Sequence, residues 1–277
     1  MFDVTTGPPS YVLRKVWDAL PRQFRPLLDR RKGLHGYTQS FALGESGAMF
    51  ACGAQSGTGL LSFPGAACQC IEDWAALRGV LSSLPRARIT RWDGAVDDYL
   101  GQHSVDDAVR LWAAGAFGSG GNQPKPNQHG NWLQPHGAGR TLEVGRRANG
   151  KMIRIYEKGM QLGVPWHPWV RWELELHNID RVIPWEVLTN PGGFFVGGYP
   201  KALAWVNEPI CRIETVRRTM CATYDSLMAS AQQSYGQLLN VALEVEGSEE
   251  AAFRALVRGG IPKRLRHPAL GATEEVP

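Results

Sequence analysis

The chain is poor in cysteine, and its cysteines are badly placed for cross-linking. Five stand in 277 residues (Cys52, Cys68, Cys70, Cys211 and Cys221), an odd number with no Cys-x-x-Cys pair. Neither a disulfide framework nor a Cys-rich zinc site is expected from such a set, and reduced thiols in a reducing compartment are. Long apolar runs are also missing: no stretch approaches about 18 apolar residues, the length that would announce a membrane-spanning helix. The start, MFDVTTGPPSYVLRKVW, has no charged opening followed by an apolar run, so a cytoplasmic location is expected. Charge of one sign is scarce as well, with Lys+Arg 30 against Asp+Glu 26 and a net of +4. That balance permits a polyanionic partner without demanding one.

What is present is an ordinary folding composition, 43% hydrophobic and 20% charged, in a chain long enough for one large core or two small ones. The charge is uneven. Arg140, Arg146, Arg147, Lys151, Arg154 and Lys158 stand within nineteen residues that hold two acids, and further basic runs lie at Arg22–Lys32 and Lys263–Arg266.

Three regions are expected: an N-terminal arm (1–35) with a short helix, a core (36–206), and a C-terminal helical region (207–277). GYTQSFAL, GAMFACGA and GTGLLSF read as a strand meander divided by Gly. An amphipathic helix from Glu72 to Leu84 follows, then the strand ARITRWDGAVDD, then a helix opened by Ser104 with Asp107 at the capping-box position. The Gly/Pro/Asn-rich stretch 118–139 is expected as a loop. RTLEVGRR, KMIRIYEK and VRWELELH read as three more strands, the first two joined by Ala148-Asn149-Gly150 as a hairpin. NPGGFFVGGYP is expected as a loop. Ile213, Val216, Met220, Leu227 and Leu238 mark a long helix from Pro209 to about Glu246, with a shorter one from Ser248 to Arg258. The fold class is α+β: a largely antiparallel, curved sheet with helices on one face, plus a C-terminal helical extension.

Alternation assigns faces. Arg91, Asp93, Ala95 and Asp97 share one face of their strand; Met152, Arg154, Tyr156 and Lys158 share one of theirs; Arg171, Glu173 and Glu175 share one of the third. The opposite faces carry Trp92 and Val96, Ile153 and Ile155, and Trp172, Leu174 and Leu176. A solvated sheet face usually bears Thr, Ser, Gln and Lys, whereas these rows combine carboxylates, cations and one tyrosine. Carboxylates on neighbouring strands suit Mg²⁺ or Mn²⁺, cations suit the charge of a phosphoryl transition state, and a tyrosine beside a cation or metal is a nucleophile whose phenolate is favoured. Charge ladders with a structural tyrosine remain the alternative on the rows alone.

RIYEKG followed by WVRWELELHN, with RITRWDGAVDD upstream, resembles the replication initiation factor family. That family holds rolling-circle initiators of staphylococcal-type plasmids and related proteins of filamentous phages. The resemblance implies a metal-dependent DNA endonuclease and strand transferase: a tyrosine attacks one phosphodiester at a phage or plasmid origin, forms a 5′-phosphotyrosine link and frees a 3′-OH. Tyr156 matches the nucleophile. Asp93, Glu173 and Glu175, with Asp97 as a fourth, match the acidic positions for Mg²⁺ or Mn²⁺, and Arg154, Lys158 and Arg171 would hold the scissile phosphate. Single-stranded or hairpin origin DNA, a second copy of the chain, and a host helicase and polymerase are the implied partners, with no membrane. Relaxases that bind metal through His-hydrophobe-His are not matched, since no two of the seven histidines stand two residues apart. The C-terminal region matches plasmid initiators poorly, so a phage source is expected, and the C-terminal helices or the 118–139 stretch are the candidates for reading origin sequence. A non-enzymatic phage DNA-binding protein, with some of the ten tryptophans stacking on bases, and a metal-dependent hydrolase are the competing readings.

Overall fold

The structure is a computed structural model and describes residues 1–7, 9–53, 57–133, 138–208 and 224–260. The chain divides into two compact units, residues 1–216 and 217–277. The first is built on a ten-stranded sheet whose described pairings are all antiparallel. Its strands are β1 (Phe2–Thr6), β2 (Leu27–Asp29), β3 (Gln39–Leu43), β4 (Met49–Cys52), β5 (Gly59–Phe63), β6 (Arg88–Asp98), β7 (Pro126–His129), β8 (Thr141–Arg146), β9 (Lys151–Glu157) and β10 (Val170–His177). They lie in the order β2-β3-β4-β5-β1-β6-β10-β9-β8-β7. The helices of this unit are α1 (Pro9–Ala19), α2 (Gly65–Gln69), α3 (Trp74–Ser83), α4 (Val105–Ala113), α5 (Lys158–Gln161) and α6 (Pro191–Gly198).

Several elements form for the reasons visible in the sequence. Asp73 caps α3 by accepting from the Ala76 N–H at 2.8 Å, and the Ser104/Asp107 capping box opens α4. Gly150, at φ +71°, turns the chain from β8 into β9. The apolar residues of the alternating strands, among them Ile153, Ile155, Trp172 and Leu174, are fully buried and join one core with Val12, Val16, Leu77, Leu81 and Phe195. Each such side chain contributes about 1.5–3 kcal/mol.

Three segments differ from the sequence expectation. Residues 1–35 do not stand apart as an arm, because β1 is hydrogen-bonded between β5 and β6 with Val4 and Thr6 buried. The 118–139 stretch contains β7, which extends the sheet edge beside β8; Pro126 is tolerated there because an edge strand has N–H groups that need no partner. NPGGFFVGGYP is a helix, α6. Asn190 Oδ1 accepts from the Gly193 N–H, Pro191 starts the first turn, and Phe194, Phe195 and Val196 are buried. Each glycine costs about 1 kcal/mol of helix propensity, and burial of those three side chains offsets it. Gly198 has a packing reason too: a Cβ there would lie 2.4 Å from Leu174 Cδ2.

The second unit contains α7 (Tyr224–Glu246) and α8 (Glu249–Leu256), the latter capped by Ser248. Ile213, Val216 and Met220 of the expected long helix lie outside the described residues. Among the described residues no helix is long and apolar enough to cross a membrane. Cys52, Cys68 and Cys70 are free thiols, and Cys211 and Cys221 lie outside the described residues.

Candidate active site

Strand register brings the three polar rows onto one face. Tyr156 on β9 stands opposite Arg171 on β10, which stands opposite Asp97 on β6. In the next row Arg154 faces Glu173, and in the row after that Glu175 faces Asp93. Neighbouring strands are about 4.8 Å apart, so side chains of the same row and of adjacent rows can meet across the strands.

The contacts divide them into three groups. The Tyr156 hydroxyl donates to Glu173 Oε2 at 3.1 Å, and Arg154 donates to Glu173 Oε1 at 2.9 Å. Arg171 holds Asp97 through two hydrogen bonds of 2.6 and 2.7 Å, and the Trp169 indole adds a third at 2.7 Å. Glu175 is fully buried; Arg147 donates to it at 2.8 Å, His177 Nε2 lies 2.6 Å away, and Arg91 bridges it at 3.3 Å to Asp93, which it holds bidentately at 2.8 Å. Lys158 leaves the strand row. It opens α5, donates to Gln161 at 2.7 Å, and keeps its ammonium 5.6 Å from the centre of the Tyr156 ring.

The electrostatics follow from burial and these partners. Burial, with the Glu173 charge added, pushes the Tyr156 phenol up to about 12 despite Arg171. The cations beside Tyr156 therefore do not make it a phenolate: burial outweighs them, Arg154 and Arg171 are held by Glu173 and Asp97, and Lys158 donates to Gln161. Burial lifts the Asp93 carboxyl against the pull of Arg91. Burial would lift Asp97 and Glu175 as well, but hydrogen bonds from Arg171 and Trp169, and from Arg147 and His177, outweigh it and hold both below the usual carboxylate range.

A cavity of about 700 Å³ opens over Tyr156, lined among others by His129, Arg140, Arg147, Arg154 and Glu173. Arg154 Nε is buried beside it with no hydrogen-bond partner among the described residues. Carboxylates are the right donors for a hard divalent ion, but the arrangement does not fit one. Among the described residues no three His, Cys, Asp or Glu side chains are grouped to hold a metal. Asp97 is committed to Arg171 and Trp169, and Asp93 and Glu175 are neutralised by Arg91 and Arg147.

Arg91, Arg147, His177 and His129 take part in this face without having been picked out in the sequence as site residues. Arg91 continues the Asp93 row and His177 continues the Glu175 row, so the period-two pattern held the signal for both. Arg147 reaches Glu175 from the β8–β9 turn, and nothing local marks that.

The family model for replication initiation factors matches residues 87–257. No curated protein is matched. Among solved structures, a rolling circle replication initiator protein from Geobacillus stearothermophilus is similar, with a TM-score of 0.51 and 22% identity over 64% of this chain and 72% of that one. Likeness at that identity speaks for the fold.

Proposed function

We propose, from the premise that this chain belongs to the replication initiation factor family, that it opens one strand of a rolling-circle origin through attack by the Tyr156 hydroxyl on a phosphodiester. The observation that carries this reading is the Tyr156–Glu173 hydrogen bond of 3.1 Å at the floor of a cavity lined by Arg140, Arg147 and Arg154. A phenol near 12 is almost wholly protonated at neutral pH, so attack needs a base in contact with it. Glu173 is that base.

Glu173 takes the phenolic proton as the Tyr156 oxygen bonds to phosphorus, and the bond from phosphorus to the 3′ oxygen breaks. The departing oxygen takes a proton from water, leaving a 3′-OH, and Glu173 returns its proton to solvent. The extra negative charge on the phosphoryl oxygens is met by Arg154, whose Nε is unsatisfied, and by Arg171, which uses two of its five N–H donors on Asp97. Lys158 adds positive charge beside the ring. No step is assigned to the divalent ion that the resemblance implies, because the carboxylates are already ion-paired.

The test is incubation of the protein with Mg²⁺ or Mn²⁺ and supercoiled DNA carrying the origin of its own genome, followed by mass spectrometry of any adduct. A DNA-linked peptide containing Tyr156 is expected, and Tyr156→Phe is expected to abolish it while leaving folding and DNA binding intact. An adduct retained by Tyr156→Phe would overturn the assignment. Omitting both ions from the same incubation reads the divalent requirement directly.

A further inference from the structure

We infer that the cavity next to the Tyr156 site, walled by Trp169 and His167, receives one unpaired nucleobase of the single strand whose phosphate Tyr156 attacks; this rests on the preceding reading of Tyr156. The cavity is about 190 Å³ and is lined by Glu157, Met160, Pro165, His167, Pro168 and Trp169, with Ala138. Drug-sized ligands fill pockets of about 300–1,000 Å³, so this one has room for a single ring system.

Its position makes that ring system a base. Glu157 follows Tyr156 in the chain and lines both this cavity and the larger one. A nucleotide whose phosphate lies at Tyr156 therefore has this space beside it. The carboxylate of Glu157 does not repel the strand, because Arg140 holds it through hydrogen bonds of 2.8 and 3.1 Å.

The walls are built to stay in place. The Trp169 indole N–H is anchored on Asp97, the Arg171 guanidinium lies 5.8 Å from the ring centre, and the Tyr99 ring is 4.9 Å away. The connection that carries Trp169 is stiffened by Pro165 and Pro168 and tied by the Gly159 N–H to the Trp169 carbonyl and by the His167 N–H to the Val164 carbonyl. Gly159 is needed there, since a Cβ would lie 2.4 Å from the His167 carbonyl oxygen. Trp166, 81% exposed and next to His167 in the chain, and Tyr99, 55% exposed and against Trp169, leave further aromatic surface in water. Folding gains nothing from that exposure, whereas stacking on bases uses it.

The experiment uses the full chain and a short single-stranded oligothymidylate carrying one 2-aminopurine. Binding is expected to quench the 2-aminopurine. Trp169→Ala is expected to weaken binding roughly five- to 150-fold, the range for one lost base stack, and to restore the fluorescence, with the salt dependence of binding unchanged because no phosphate contact is removed. His167→Ala, at an exposed position, keeps the test valid should Trp169→Ala misfold; it is expected to reduce both affinity and quenching. Unquenched binding by the wild type, or unaltered affinity in both variants, overturns the inference. Quenching without any covalent adduct on origin DNA overturns the role of Tyr156 and leaves the base pocket standing; an adduct without quenching does the reverse.

Discussion

The meander β2–β5 and the strands β6–β10 share one sheet and one antiparallel pattern, yet they use their side chains differently. β5 is buried at every position from Gly59 to Phe63, so both of its faces are covered. In β9 and β10 Ile153, Ile155, Trp172 and Leu174 are buried on one face, while Arg154, Tyr156, Arg171 and Glu173 stay partly open on the other. A strand covered on both sides has no place for a charge without a full set of partners. A strand open on one side can carry charged and nucleophilic groups there while its other side holds the core. The open half is also the half where the replication initiation factor model matches, from residue 87 onward.

The contrast yields three predictions. Glu173→Gln removes the base and leaves the shape, so adduct formation is expected to slow about 10²–10⁴-fold, measured under single-turnover conditions on origin DNA. An unchanged rate would transfer the base role elsewhere. Leu61→Ala, in the fully buried strand β5, is expected to cost about 2–5 kcal/mol in denaturant unfolding, with the rate per folded molecule kept. If that variant loses activity while folded, the two halves are not separable in the way described.

The smallest effect is in pH. The Tyr156 phenol, pushed to about 12 from an ordinary value near 10, favours folding in its protonated form. That contribution is complete below the ordinary value and disappears as pH rises from about 10 through about 12. Stability over that window is expected to fall more steeply in the wild type than in Tyr156→Phe, by on the order of 2 kcal/mol. Equal slopes would mean that the phenol is not held in its buried setting beside Glu173.

Much of this was legible in the residues. The alternations around Tyr156, Glu173 and Asp93 are local and strong, and they assigned those groups to one polar face without any knowledge of their neighbours. Ser104-Val105-Asp106-Asp107 announced the α4 capping box in the same way. β1 escaped because FDVTT is short, carries no turn signal, and is a strand only through pairing with β5 and β6, at least fifty residues away in the chain. α6 escaped because four glycines argue against a helix until the buried phenylalanines and the approach to Leu174 are counted.

By itself, then, the sequence determined which side chains leave each strand on the same face, because backbone geometry fixes a period of two residues. Only the tertiary structure decided who meets whom. Register set Arg171 against Asp97 and brought Glu173 within reach of the Tyr156 hydroxyl. Of the cations that flank the phenol in the sequence, Arg154 is held by Glu173 and Lys158 by Gln161, and Tyr156 is left protonated, with a carboxylate to take its proton.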